Sequence, residues 1–208
     1  MTCYPVYSLS RFLCWLILRA WCGYRVEGRH HIPRRGAFLI AANHRSFLDP
    51  SAVGVAFPRH VHFIAKDELF RLPFLGSAIR RMGAISVTLS NPSAVNTTVL
   101  KIAMRCLRQG EIVAIFPEGR RNLGGVLEPA KLGVAMMAVK TGVPILPVAV
   151  MGTEQALPDG ASMLRRSRVT VRIGAPILMD PALAGRGREA YEIVANRVTE
   201  AIARLLKA

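Results

Sequence analysis

The chain has 208 residues, 51% hydrophobic and 20% charged, which suits one domain with an ample core and excludes a disordered segment. Its formal net charge is +15 and its pI is near 11.0, so an anionic partner is expected: nucleic acid, acidic membrane lipid or a phosphorylated substrate. Aromatic residues are only 7% and gather near the N-terminus. That argues against a base-stacking nucleic-acid module and turns the charge toward membrane and phosphate.

Residues Tyr7 to Tyr24 are rich in Leu, Phe, Trp and Ile, interrupted by Arg11 and Arg19. The uninterrupted apolar run from Phe12 to Leu18 is far shorter than the roughly 20 residues that span a bilayer. Trp15 and Trp21 suit a membrane interface, and Arg19 can reach lipid phosphates. The expectation is an interfacial helix lying on one leaflet; a helix packed on the domain core is the alternative. No signal peptide is evident, because no small-residue cleavage site follows the apolar stretch. The four cysteines, Cys3, Cys14, Cys22 and Cys106, form no CxxC pair, and they read as reduced, packed thiols of a protein facing the cytosol.

Val26-Glu27-Gly28 reads as a short strand, and Pro33-Arg34-Arg35-Gly36 as a turn. The apolar run Ala37–Ala42 is a buried strand that feeds the loop Asn43-His44-Arg45-Ser46-Phe47-Leu48-Asp49. Pro50 then opens a helix to about Phe57. A His and an Asp thus share a strand-to-helix loop, where α/β folds place reacting groups. His44 can accept a proton near neutral pH, and a carboxylate on its other nitrogen would fix the tautomer and stabilise the imidazolium. Apart from Ser46 within the loop itself, no Ser or Cys stands beside the pair, and the activated hydroxyl is read as the substrate's. On these residues alone the bland reading is favoured, Asp49 as a helix N-cap and His44 as a satisfied loop histidine, until a second motif further along is weighed.

Val61–Ala65 is the next strand. His60 and His62 share one of its faces, but without a third ligand they are poor evidence for a metal. A helix is expected over Phe74–Met82, a strand over Gly83–Val87, an amphipathic helix from Asn91 to Gly110 and an apolar strand over Ile112–Phe116. A helix over Leu132–Val139 follows. The strand from Val143 to Val150 contains Pro144 and Pro147, which argue for a bent or edge position. Val169–Ile173 closes the set of strands. From Arg188 a helix presents Tyr191, Val194, Val198, Ile202 and Leu205 as a core-facing stripe. The fold class is therefore α/β: a single domain (26–208) with a mixed, largely parallel sheet covered by helices, behind an N-terminal membrane-associated helix (1–25).

The strand Ile112–Phe116 ends in Pro117-Glu118-Gly119-Arg120-Arg121-Asn122, again a charged loop at the C-terminal end of an apolar strand. Gly119 lets backbone approach a ligand, Arg121 offers planar donors for phosphate, and Glu118 can hold an Arg or a sugar-like hydroxyl. A surface turn with a local Glu–Arg pair is the bland alternative.

With both loops in view, the chain resembles the glycerolipid acyltransferase family, whose bacterial members of this size convert 1-acylglycerol-3-phosphate to phosphatidic acid. The likeness covers roughly residues 26–180. Asn43-His44 with Asp49 is similar to the first family motif. Ala65–Phe70, Pro73–Gly76 and Gly83-Ala84-Ile85 resemble the second region. Phe116-Pro117-Glu118-Gly119 with Arg121, then Lys131-Leu132-Gly133, resemble the third, and Val143–Val148 the fourth. The resemblance implies that His44, oriented by Asp49, deprotonates the hydroxyl of a lysophospholipid, which attacks the thioester of acyl-CoA or acyl-carrier-protein. Lys66, Glu118, Gly119, Arg120, Arg121 and Lys131 would hold the acceptor. No metal or bound cofactor is implied, and the setting would be the cytoplasmic face of the inner membrane, peripheral or monotopic, on anionic lipid. Thr88-Leu89 stand where the family usually has Asp-Arg, and Arg120 where it has Thr. The family arginine is associated with the acceptor phosphate, so the runner-up readings are another lipid acceptor (an amino-lipid or glycerol-3-phosphate) and a non-catalytic basic module binding membrane or nucleic acid.

Overall fold

The computed structural model describes residues 4–66, 85–87, 97–161, 163–183 and 185–208. The described elements run α1 (Tyr4–Trp21), β1 (Arg25–Glu27), β2 (Phe38–Ala42), α2 (Asp49–Ala56), β3 (Val61–Lys66), β4 (Ile85–Val87), α3 (Thr97–Arg108), β5 (Ile112–Ile115), α4 (Leu132–Thr141), β6 (Ile145–Met151), a single turn α5 (Thr153–Ala156), β7 (Thr170–Ile173) and α6 (Arg188–Lys207). The helix expected over Phe74–Met82, the first residues of the helix expected from Asn91, and positions Thr88-Leu89 lie outside the described residues.

The strands form one sheet in the order β1-β7-β6-β2-β5-β3-β4. Every pairing is parallel except β6 with β7. Strand β2 is buried along its whole length, and its alternation sorts the core into two layers. Phe38, Ile40 and Ala42 join the cluster of α1 and α2, with Leu18, Val53 and Phe57. Leu39 and Ala41 join the opposite cluster of α3, α4 and α6, with Leu107, Met137, Val194 and Ile202. Helices therefore cover both faces, as the alternation of apolar strands and amphipathic helices requires.

The proline-containing strand is a correction. β6 lies inside the sheet, between β7 and β2, and not at an edge. Ile145 donates its N–H to the Ile177 carbonyl on the β7 side, and two residues on, Pro147 faces that same side. There it accepts from the Gly174 N–H at 2.9 Å, and the reciprocal bond that proline cannot donate falls just past the last β6–β7 ladder pair, Val148 with Ile173.

Helix α1 packs against α2, with Tyr7 and Leu18 buried, as is Cys22 just beyond its end, and Arg11 donates to the Phe57 carbonyl at 2.7 Å. Its other face is apolar and open: Leu9, Phe12, Leu13, Leu16, Ile17 and Trp21 are exposed. Tyr24, just past α1, donates its buried hydroxyl to the Ala52 carbonyl at 2.7 Å. Burial pushes this phenol well above its ordinary value.

Candidate active site

β2 and β5 are neighbours with parallel register, Phe38 opposite Ile112 and Ala41 opposite Ile115. Their C-terminal ends therefore open at the same sheet edge, and the His44 loop emerges beside the Pro117–Asn122 turn. The backbones are joined there. Asn122 donates its N–H to the His44 carbonyl at 2.7 Å, and the His44 N–H donates to Glu118 Oε1 at 3.0 Å.

His44 Nδ1 lies 2.8 Å from Asp49 Oδ2. The same oxygen accepts the backbone N–H groups of Arg45 at 2.6 Å and Ser46 at 2.8 Å. The other oxygen, Oδ1, accepts the Thr153 hydroxyl. Asp49 is fully buried, so this ring of donors replaces its hydration. With Nδ1 engaged, Nε2 is the nitrogen left for a substrate proton. The imidazole stacks on Phe116, ring centroids 4.1 Å apart and 19° between planes, which holds its orientation. The helix-cap reading of Asp49 does not survive. α2 begins at Asp49 itself, with Leu48 in the cap position and no side-chain cap bond. The carboxylate reaches back to the loop and holds the histidine.

Glu118 is 2% exposed. Its oxygens accept from the His44 N–H, the Asn122 amide at 2.8 Å and the Glu128 N–H at 3.3 Å. Among the described residues it pairs with no arginine; it fastens one active loop to the other. Arg120 is exposed and pairs with Glu128 at 2.6 Å. That hydrogen-bonded pair raises the arginine and lowers the carboxyl, each favouring its charged form. Arg121 pairs with Asp159, and its guanidinium lies over the Phe47 ring, 3.7 Å from the centroid. Gly119 has φ of 74°, and a Cβ there would stand 2.6 Å from Lys131 Nζ. The left-handed backbone favours glycine there, and a larger residue would displace the flexible lysine lying across it. Of the residues expected from sequence, His44, Asp49, Glu118, Gly119, Arg121 and Lys131 come together at this edge, while Arg120 points outward to Glu128. Lys66 ends β3, and its side chain lies outside what the structure describes.

Sequence reasoning passed over three supports. Asn43 bonds the Val150 backbone through both its amide N and O, at 2.9 and 2.7 Å, pinning the end of β2 to β6. Thr153 orients Asp49, and Phe116 stacks on His44. Asn43 stood in the motif; nothing local marked Thr153, which follows a strand 104 residues away from Asp49 in sequence.

A family model described as acyltransferase matches residues 23–151, more than half of the chain. The chain belongs to the acyltransferase family. It is 30% identical over 156 residues to a 1-acyl-sn-glycerol-3-phosphate acyltransferase of Bacillus subtilis, covering 74% of each chain. It is 33% identical over 154 residues to a chloroplastic enzyme of the same name from Brassica napus, where the match covers 73% of this chain but 44% of the relative. The chain thus spans under half the length of that plant acyltransferase. Among solved structures it is similar to the 1-acyl-sn-glycerophosphate acyltransferase PlsC of Thermotoga maritima. That likeness has a TM-score of 0.74 and 28% identity, over 99% of this chain and 79% of the other.

Proposed function

We propose that this acyltransferase moves a fatty acyl group from a thioester, acyl-CoA or acyl-carrier-protein, to the free hydroxyl of 1-acylglycerol-3-phosphate, giving phosphatidic acid. The observation that carries the proposal is an imidazole whose Nδ1 is held by a buried carboxylate, on a loop fastened to a turn that bears Arg121 and is crossed by the Lys131 side chain. His44 Nε2 takes the hydroxyl proton as the oxygen attacks the thioester carbonyl. The tetrahedral intermediate then collapses with loss of thiolate, which recovers the proton from the imidazolium. Asp49 stabilises that imidazolium throughout. Arg121 and Lys131 offer charge to the acceptor phosphate, Arg121 exchanging Asp159 for it. The names carried by the Bacillus subtilis and Brassica napus relatives support this acceptor.

The setting we propose is the cytoplasmic face of the inner membrane. No described helix is long and apolar enough to cross a membrane. The open apolar face of α1 and the exposed Phe47, Leu123 and Val126 of the two active loops would instead enter one leaflet, with the net +15 drawing the chain to anionic lipid. Leu89, in place of a family arginine, keeps an alternative acceptor such as an amino-lipid or glycerol-3-phosphate in view.

The test is free-thiol release from acyl-CoA, and separately from acyl-carrier-protein, with and without lysophosphatidic acid. Acceptor-dependent release that disappears in His44→Ala supports the proposal. Release with an amino-lipid or glycerol-3-phosphate and none with lysophosphatidic acid would assign the other acceptor. Undiminished turnover in His44→Ala would remove the catalytic assignment.

A further inference from the structure

The acyl-transfer chemistry leaves a group of titratable side chains unused at the opposite end of the sheet. His60 immediately precedes β3 and His62 lies within it, so their side chains share a face. β3 runs parallel to β5 with Val61 opposite Ile112, and that register sets Glu111, the residue before β5, beside His60. His62 Nε2 is 2.9 Å from Glu111 Oε2. The two imidazole rings meet nearly at right angles, centroids 4.4 Å apart. One ligand atom from each of the three residues lies within 4.8 Å of the others. The Tyr7 ring of α1 packs edge-on against His60, centroids 4.3 Å apart, and closes one side. His62 is 8% exposed, while His60 and Glu111 are partly open and leave a path from solvent.

We propose that His60, His62 and Glu111 form a divalent-metal site of the zinc class. Two imidazoles and a carboxylate are a donor set that zinc takes, with water completing a tetrahedron. Bonds of about 2.0–2.2 Å to such a metal need donors roughly 3.3–3.6 Å apart. The His62–Glu111 pair is already nearer than that, and the third donor, within 4.8 Å of the others, has to close by about 1 Å. In sequence the two histidines lacked a third ligand. Strand pairing supplies it from 49 residues beyond His62. The site is not part of acyl transfer. It sits at the N-terminal ends of β3 and β5, whereas His44 and Glu118 follow the C-terminal ends of β2 and β5. The four residues of β5 alone separate the two ends by about 13 Å at roughly 3.3 Å per residue. A metal there would clamp the α2–β3 connection to the α3–β5 turn, beneath the N-terminal helix.

The experiment uses the full chain without a histidine tag, stripped with chelator and titrated with Zn2+ against a chromophoric chelator. One equivalent should bind with Kd at or below the micromolar range. At about 100 Kd of free Zn2+ the melting temperature should rise by about 5 °C or more, and Co2+ should give the visible absorption of a tetrahedral site. Glu111→Gln keeps a hydrogen bond to His62 and so keeps the fold; it should weaken binding at least about tenfold and remove the thermal shift. His44→Ala should bind a full equivalent. Absence of the equivalent, equal affinity in Glu111→Gln, or its loss in His44→Ala would overturn the site and leave the His62–Glu111 contact a plain ion pair.

Discussion

Replacing Asp49 with Asn isolates the charge of the carboxylate from its shape. Oδ2 accepts three donors: His44 Nδ1–H and the N–H groups of Arg45 and Ser46. An amide nitrogen cannot stand there without facing all three. The amide must therefore place its oxygen on that side and its NH2 toward Thr153, whose hydroxyl can turn from donor to acceptor. The fold and the imidazole orientation survive, and the full negative charge beside the imidazolium is lost. A hydrogen bond to a charged partner contributes about 1.5–3 kcal/mol against about 1 for a neutral one. Applied to the transition state, a loss of roughly 1–2 kcal/mol lowers kcat about 5- to 30-fold. The acceptor KM should stay within about twofold, because Asp49 is buried and touches no substrate. Asp49→Ala would be a poor substitute: it strands the buried Ser46 N–H and the Thr153 hydroxyl, each about 1–3 kcal/mol, and confounds catalysis with unfolding. Thiol release under saturating acceptor, with a thermal melt of the same sample, gives the comparison. Wild-type kcat in a folded Asp49→Asn protein would refute the role given to the charge.

Arg121→Ala should raise the acceptor KM by about tenfold or more with a smaller change in kcat, since one charge-assisted phosphate contact is lost; an unchanged KM would place the phosphate elsewhere. Gly119→Ala should cost about 1–2 kcal/mol at a φ of 74° and displace Lys131, so a melt lowered by a few degrees together with a higher acceptor KM is expected. Asn43→Ala leaves a buried N–H and C=O of Val150 without partners; at about 1–3 kcal/mol for each, the melting temperature should fall by roughly 4 °C or more. The buried Tyr24 phenol, ordinarily titrating at 10.0, is raised in the fold. The folded state then holds a proton that the unfolded state releases above pH 10, so stability is intact below that pH and declines above it. Melts recorded from pH 8 to 11.5 should show this decline, and Tyr24→Phe should lessen it, the rest coming from Tyr7 and the thiols of Cys14, Cys22 and Cys106, which burial also raises.

Much of the architecture was readable from local pattern. The five apolar residues of β2, the short apolar run of β5 and the stripe of Val194, Val198 and Ile202 on α6 carry their periodicity in a window shorter than the element itself. The His44–Asp49 pairing was readable too, because a separation of five along a loop entering a helix brings both ends within hydrogen-bond reach. The placement of Pro147 was misread because proline's preference for edges is statistical, while the side on which a strand lacks its donor depends on its neighbours.

Composition and periodicity determined the α/β class, the apolar N-terminal helix and the chemistry available on each loop. Strand order decided which of those groups meet. Glu118 reaches the His44 N–H across 74 residues, Asn43 reaches Val150 across 107, Thr153 reaches Asp49 across 104 and Glu111 reaches His62 across 49. Each contact exists because β2 lies between β6 and β5, and β3 beside β5. That order reflects how the two layers of core side chains pack on opposite sheet faces, a condition on the whole chain at once that no window of sequence contains.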